Sequence, residues 1–586
     1  MKTFFKMLLA TVVGTILSLF LIVFFFMIIM VAALSSDTAP VISPKSVLKL
    51  ELNCSIEERV QDNPFEKYSS AFSTGNALGL NTLLDNIAKA KEDKNIAGIY
   101  LDISSVYAPI ATLNEIRNAL EDFKTSGKFV YCYADNMSQN SYYLASVATK
   151  VYLNPQGILD FRGLSFQVMF YKGLLDKLDI EMQVVKHGTF KSAVEPFLLN
   201  KMSEANKLQV ETFMGSIWNK VLSDISKSRC VDYQIINNVC DSLIFLANTS
   251  LAVELGFIDD LIYKDEFESL VRTQLELDTA EKINWVSLKE YKKTSAVTKK
   301  TKDEIAVIYA VGDIVDGKTS GMNQIGSSTA EELAKARKNK NVKAIVFRIN
   351  SGGGSALASD IIWREVVLAQ KEKPVVVSMG GMAASGGYYI ACAADYVVAQ
   401  PTTITGSIGV FGIFPNLQKL MEKKLGITVD KVSTNTYADF YSGDRPLSNY
   451  EYMQLQKMVD EVYFTFIQRV ADGRGVTTRF VDSIGHGRVW SGADALRLGL
   501  VDTLGGLDVA IAKAAQLAKI DKYSTVEYPK MKDFYQEFME PFLDAKISNR
   551  MQKSSLYETY IYFQFIESVL EMKGVQARMP YIISID

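Results

Sequence analysis

Ser385 lies in SMGGMAASGGYYIA, Ser378 to Ala391. A run that reads as a buried strand, Pro374-Val375-Val376-Val377, precedes it, and a segment that reads as a helix, Tyr388 to Asp395, follows. A serine at a tight strand-to-helix turn exposes its hydroxyl, and nearby backbone N–H groups can meet an oxyanion. A glycine-rich turn packed closely for steric reasons has the same look, so a nucleophile here requires a base. The chain has two histidines, His187 and His486, neither near Ser385 in sequence, which makes a Ser-His-Asp triad or a His-based metal site hard to assemble. A lysine base then becomes attractive, since Ser-Lys pairs are a variant of triad logic. The candidate is Lys191, in HGTFKSAVEPF from His187 to Phe197. A lysine works as a base only when neutral, and with an ordinary value of about 10.4 well under 1% is neutral at pH 7. Burial would lower that value, and a drop of about three units corresponds to roughly 4 kcal/mol.

The elements that must position these two residues come in two rounds. Val47 to Leu52, Ala97 to Leu101 and Phe129 to Tyr131 read as strands, alternating with helical stretches at Asn76 to Lys91, Leu113 to Phe123 and Tyr142 to Val147. The order returns with strands at Ile305 to Tyr309, Val342 to Arg348 and Pro374 to Val377, and helices at Ala330 to Arg337 and Ala358 to Gln370. Such alternation predicts parallel βαβ units. KFVYCYAD at Lys128 resembles the run from Lys373, SYYLA at Ser141 resembles GYYIA at Gly387, and LGFID at Leu255 resembles LGLVD at Leu498. One offset, about 245 residues, relates all three matches and predicts two tandem α/β halves. Matching Tyr142 to Tyr388 sets Gln139 opposite Ser385, and Ala438 falls opposite Lys191. One half thus carries the serine and no lysine, the other the lysine and no serine, as expected of a duplicated domain that shares one site.

The chain has 586 residues, too many for one core. A net charge of -3 gives no overall basic field, so nucleic acid is not an expected partner. The five cysteines lack CxxC spacing, so neither a disulfide framework nor a zinc site is suggested. Cys230 and Cys240 would be able to pair in an oxidising compartment, and the sequence leaves that open. No metal or nucleotide motif appears, and no cofactor is expected: Gly352-Gly353-Gly354 lacks the lysine of a phosphate loop. Lys2 and Lys6 precede an uncharged run from Met7 to Leu34, longer than the ~20 residues that span a bilayer. The run predicts a retained anchor with the N-terminus in the cytoplasm and the rest of the chain across the membrane. Residues 1–36 are read as the anchor, 45–288 as the half supplying the lysine, 289–302 as a lysine-rich linker, 303–520 as the half supplying the serine, and 521–586 as an aromatic-rich tail. That tail reads either as a packing or oligomer-contact helix or as an interfacial membrane helix.

RINSGGGS (Arg348 to Ser355), GMAASGGYYIA (Gly381 to Ala391), TGSIGV (Thr405 to Val410), KSAVEPF (Lys191 to Phe197) and GRVWSGADA (Gly487 to Ala495) together resemble the signal peptide peptidase A, or protease IV, family in its long, duplicated, membrane-anchored bacterial form. The resemblance covers nearly the whole chain after the anchor. It implies an α/β fold of two tandem Clp-protease/crotonase-like halves with an N-terminal transmembrane helix. It implies a serine endopeptidase with Ser385 as nucleophile and Lys191 as general base, degrading cleaved signal peptides and other apolar peptides. By the same resemblance the N–H groups of Gly354 and Gly386 form the oxyanion hole, while Gly353 and Ser407 bind or orient substrate or lysine. Gly352 stands where the family usually has proline, which predicts a less rigid loop. The implied partners are peptides, the lipid bilayer and further copies in a homotetramer. The implied place is the bacterial inner membrane, single-pass, with the catalytic domain on the periplasmic side. Two other classes fit the fold: a crotonase-like enzyme acting on acyl thioesters, and a non-catalytic membrane scaffold.

Overall fold

The computed structural model describes residues 2–35, 41–61, 77–278, 281–294, 301–319, 323–531 and 575–579. Two parallel sheets organise the chain. The first runs in the order Asp260–Leu261, Lys150–Leu153, Phe129–Ala134, Ile96–Asp102, Ser46–Glu51, Trp285–Ser287. The second repeats it with Thr503–Leu504, Tyr396–Ala399, Val375–Ala384, Val342–Ser351, Glu304–Val311 and Ser524–Tyr528. Their strands are nearly continuous apolar runs because both faces are covered, the usual condition of parallel sheets. Ser524–Tyr528 lies in the stretch read from sequence as tail, yet it pairs beside Glu304–Val311 as Trp285–Ser287 pairs beside Ser46–Glu51.

The two halves match down to single contacts. Tyr142 donates its hydroxyl hydrogen to Phe257 O at 2.9 Å, and Tyr388 does the same to Leu500 O at 2.9 Å. Asp259 accepts from Val151 N and Arg229, and Asp502 from Val397 N and Arg474. Each half carries a 26-residue helix, Glu204–Arg229 and Asn449–Arg474. Ser203 and Ser448 cap these helices, each accepting a backbone N–H three residues on. Such caps are worth about 1 kcal/mol each.

Two joints fasten the halves together. Glu181–His187 of the first pairs antiparallel with Val410–Asn416 of the second, from Val410 opposite His187 to Asn416 opposite Glu181. Beside it, Arg348 of the second half is fully buried between two carboxylates of the first. Its Nε donates to Glu58 at 2.9 Å and its Nη2 to Glu115 at 2.7 Å. Burial pushes the Glu115 carboxyl above its usual value, although Arg348 pulls the other way.

Three sequence expectations meet a different picture. Helix Leu288–Lys293 occupies the start of the stretch read as linker, and its Tyr291 is buried with its hydroxyl on Asp93 at 2.9 Å. The N-terminal segment is one helix, Lys2–Ser35, and side chains such as Ile16 and Phe20 along it are exposed. Among the described residues no helix is long and apolar enough to cross a membrane; the side chains of 26–35 lie outside them. The aromatic stretch of the tail, Phe534 to Phe563, also falls outside the described residues, and the part described, 575–579, is extended strand rather than helix. All five cysteines are free, with Cys230 exposed and Cys240 buried.

Candidate active site

Strand Val375–Ala384 ends against helix Gly386–Ala391, and Ser385 is the single residue between them. Its backbone takes φ 55° and ψ -118°, a region that costs a non-glycine residue about 1–3 kcal/mol. The turn is held by Ser385 N–H donating to Gly406 O at 2.8 Å and Tyr389 N–H donating to Ser385 O at 2.8 Å. A Cβ on Gly387 would meet Ser351 O at 2.6 Å, so the helix can start this close only with glycine there.

Lys191 arrives from the other half. It follows strand Glu181–His187, whose pairing with Val410–Asn416 carries the chain across to the serine-bearing half. Gln209, buried on the long first-half helix, then clamps the loop. Its Nε2 donates to Phe190 O at 3.1 Å and Ser192 Oγ at 2.9 Å, and its Oε1 accepts from Val489 N at 3.2 Å. Two glycines make room for the lysine stem: a Cβ on Gly487 would lie 2.7 Å from Lys191 Cα, and one on Gly409 would lie 3.3 Å from Lys191 Cδ.

The result is a lysine and a serine both at 0% exposure, with Lys191 Nζ 2.7 Å from Ser385 Oγ. Nζ has two further partners, Ser407 O at 3.2 Å and Ser407 Oγ at 3.1 Å. Ser407 itself has φ 50° and is fixed by donating its N–H to Arg488 O at 2.7 Å. Among the described residues no ion pair involves Lys191, and burial alone drives its amine well below the ordinary lysine value of 10.5. A buried, uncharged amine beside a serine hydroxyl is a base poised to take that proton.

The glycine strip faces the same point. Gly353 has φ 95° and Gly354 φ 155°, backbone only glycine adopts readily. Gly354 lies beside Ile314, so any side chain would strike the Ile314 carbonyl. On its other edge, strand Gly353–Ser355 pairs antiparallel with Gln576–Arg578, and that segment is flanked in turn by Phe411. Space for a Cβ on Gly353 is closed by Ala577 O and by Gly386 N, the latter at 2.6 Å.

Every residue singled out from sequence therefore lies at one place: Ser385, Lys191 and Ser407 in hydrogen-bond reach, Gly353, Gly354 and Gly386 beside them. Gln209, Gly409 and Gly487 were not assigned a role from sequence, and neither was Gln576–Arg578. A buried glutamine on a helix gives no sequence signal until the loop it clamps is known. The two histidines stack in one column with Tyr463, His187 at 3.9 Å from its ring, and His187 Nδ1 lies 2.7 Å from Asp460. Among the described residues His187, Asp482 and His486 form one group whose ligand atoms lie within 4.8 Å of one another.

Residues 122–278 and 368–521 match Peptidase family S49, and residues 299–404 match Clp protease. The chain is 38% identical over 463 residues to Protease 4 of Salmonella typhi, covering 78% of this chain and 73% of that one. It is 38% identical over 443 residues to Protease 4 of Haemophilus influenzae, covering 74% and 72%. It is 33% identical over 553 residues to the chloroplastic serine protease SPPA of Arabidopsis thaliana, covering 92% and 78%.

Proposed function

The chain belongs to peptidase family S49 and is a serine peptidase; from that premise we propose that it works through a Ser385–Lys191 dyad. The observation that carries this is the 2.7 Å approach of Lys191 Nζ to Ser385 Oγ with both side chains buried. A neutral amine has one lone pair and two N–H bonds. The lone pair takes the Ser385 hydroxyl hydrogen, and the two N–H bonds satisfy Ser407 O and Ser407 Oγ. All three contacts are thus used without a charge on the lysine.

Ser385 Oγ attacks the peptide carbonyl carbon as Lys191 removes its proton, and the oxyanion is met by the N–H groups of Gly354 and Gly386. Lys191 then returns the proton to the leaving amine, giving an acyl-enzyme. Water, deprotonated by the same Nζ, releases the acid. Ser407 holds the amine in line, and Gly353 keeps the substrate strand close.

The substrates we propose are apolar peptides beside a bilayer, such as cleaved signal peptides. The uncharged run Met7–Leu34, with exposed Ile16, Leu19, Phe20 and Phe25, supports an anchor in the bacterial inner membrane with the catalytic halves on the periplasmic side. The resemblance to the anchored family also supports a homotetramer. The test is hydrolysis of a fluorogenic apolar peptide, with labelling by a serine-reactive probe. Ser385→Ala and Lys191→Ala are each expected to lose activity by about 10⁴ while staying folded. Substantial residual turnover in either would sink the dyad. A crotonase-like or scaffold role would instead leave Ser385 unlabelled.

A further inference from the structure

The segment Val575 to Met579 lies in the groove as a peptide substrate would. Its pairing with the glycine strip is antiparallel, Arg578 opposite Gly353, Ala577 opposite Gly354 and Gln576 opposite Ser355. Met579 N–H donates to Gly352 O at 2.6 Å, and Ala356 N–H donates to Val575 O at 3.4 Å. Hydrogen-bonded pairs alternate along an antiparallel ladder, so these two bonds, each two residues from the centre, make Gly354 and Ala577 the mutual pair between them. In that pair the Gly354 N–H points at the Ala577 carbonyl oxygen. A Cβ on Gly386 would lie 2.9 Å from that same oxygen, and the space beside Gly353 is bounded by Ala577 O and Gly386 N together. The one carbonyl of the segment that reaches the two amides proposed for the oxyanion is therefore that of Ala577. Gly386 directly follows Ser385, so the Ala577 carbonyl carbon lies beside the nucleophile's own residue.

The side chains agree with a substrate in its subsites. Ala577 is 1% exposed and Met579 5%, both turned into the protein, and Met579 packs into the same core cluster as Met382. Gln576, 9% exposed, is covered between the glycine strip and Phe411. Arg578 is anchored outward by an ion pair with Asp313. A strand held by the backbone on both edges, with small and apolar side chains inward, is β-augmentation by an extended peptide.

We propose that the chain cleaves itself after Ala577, the groove being first occupied by its own segment 575–579. Ser385 Oγ attacks the Ala577 carbonyl carbon and passes its proton to Lys191. The Ala577–Arg578 bond breaks, and Lys191 gives the proton to the Arg578 amine, releasing residues 578–586. Water then hydrolyses the Ala577 ester, leaving a chain that ends in the Ala577 carboxylate and a free Ser385 hydroxyl. Until that cut, the segment excludes other peptides. The same contacts define the specificity of the site: alanine or another small side chain before the cleaved bond, and an aliphatic residue two places earlier, where Val575 stands.

This inference rests on the dyad reading, and the experiment separates the two. Full-length wild type, Ser385→Ala and Ala577→Asp are purified in detergent. Each is measured by intact mass and by hydrolysis of an unrelated apolar peptide. The expected result is that wild type loses the mass of residues 578–586 and Ser385→Ala keeps it. Ala577→Asp, which would bury a charge beside Gly354, is expected to keep its full mass yet hydrolyse the added peptide at least as fast as wild type. If wild type hydrolyses the added peptide but retains its full mass, self-cleavage is overturned and the dyad stands. If Ala577→Asp is cut at the same bond, the register is wrong and self-cleavage after Ala577 is overturned. If wild type neither hydrolyses the peptide nor loses mass, both readings fall.

Discussion

The two halves build the same strand-to-helix turn and use it differently. In the first half, Ser138 caps helix Gln139–Ala145 with relaxed backbone, φ -71° and ψ 162°, and its hydroxyl accepts from Ser141 N. Gln139, opposite Ser385, spends its side chain on local backbone, accepting from Arg162 N and Gly163 N and donating to Gly163 O. In the second half the equivalent turn is strained, makes no side-chain cap, and leaves Ser385 Oγ for Lys191. The lysine loops differ in the opposite sense. Lys191 is fully buried against the other half, whereas Ala438 and its neighbours from Thr434 to Ala438 lie exposed. A duplicated frame thus keeps its packing contacts in both copies, while strain and burial are retained only where one copy meets the other.

The largest effect tests that asymmetry directly. Ser385→Ala combined with Gln139→Ser is expected to remain about 10⁴-fold below wild type in peptide hydrolysis. The first-half turn offers a relaxed serine with no buried amine beside it, so any recovery of rate breaks the comparison. Next comes the joint between the halves. Arg348→Met leaves Glu58 and Glu115 buried without their cation, and a loss of roughly 3–5 kcal/mol in unfolding free energy is expected from denaturant melts. A loss below ~1 kcal/mol would mean that Arg348 does not fasten the halves.

Smaller but specific to the second half is Gly354→Ala, which meets the Ile314 carbonyl at φ 155°. If the Gly354 N–H serves the oxyanion, kcat falls by about 10²–10³ with the fold retained by circular dichroism. An unchanged kcat would move the oxyanion elsewhere.

The subtlest is the pH dependence. The amine of Lys191 is held below 10.5 by burial and must be neutral to act, so kcat/KM rises with pH through that lowered value and then levels. Stability follows the same sign. Between the lowered value and 10.5 the unfolded chain binds a proton that the folded chain does not, so stability climbs with pH across that window and gains nothing further above it. Lys191→Met is expected to remove the slope and raise Tm at neutral pH; a lower Tm would show that the amine is not held uncharged.

Much of this was legible in residues alone. The offset of about 245 fixed two halves, since repeated strands and helices leave repeated apolar runs. The missing serine at Gln139 and the missing lysine at Ala438 pointed to one shared site. Gln209, Gly409 and Gly487 were illegible, because each acts only by touching a loop far away in sequence. The segment 575–579 was hidden for a related reason. Strand Gln576–Arg578 has three residues and no alternation of its own, and becomes a strand only because Gly353–Ser355 and Phe411 offer it hydrogen bonds on both edges.

By itself the sequence determined the duplicated α/β frame and the chemical types at the site, because periodicity and residue identity are local properties. Tertiary structure alone decided that Lys191 loses its charge and that Ser385 and Lys191 meet, 194 residues apart. It also decided that Ala577 comes to lie over Gly354. Burial, dielectric and strand register are set by what packs from elsewhere in the chain, and no window of residues carries them.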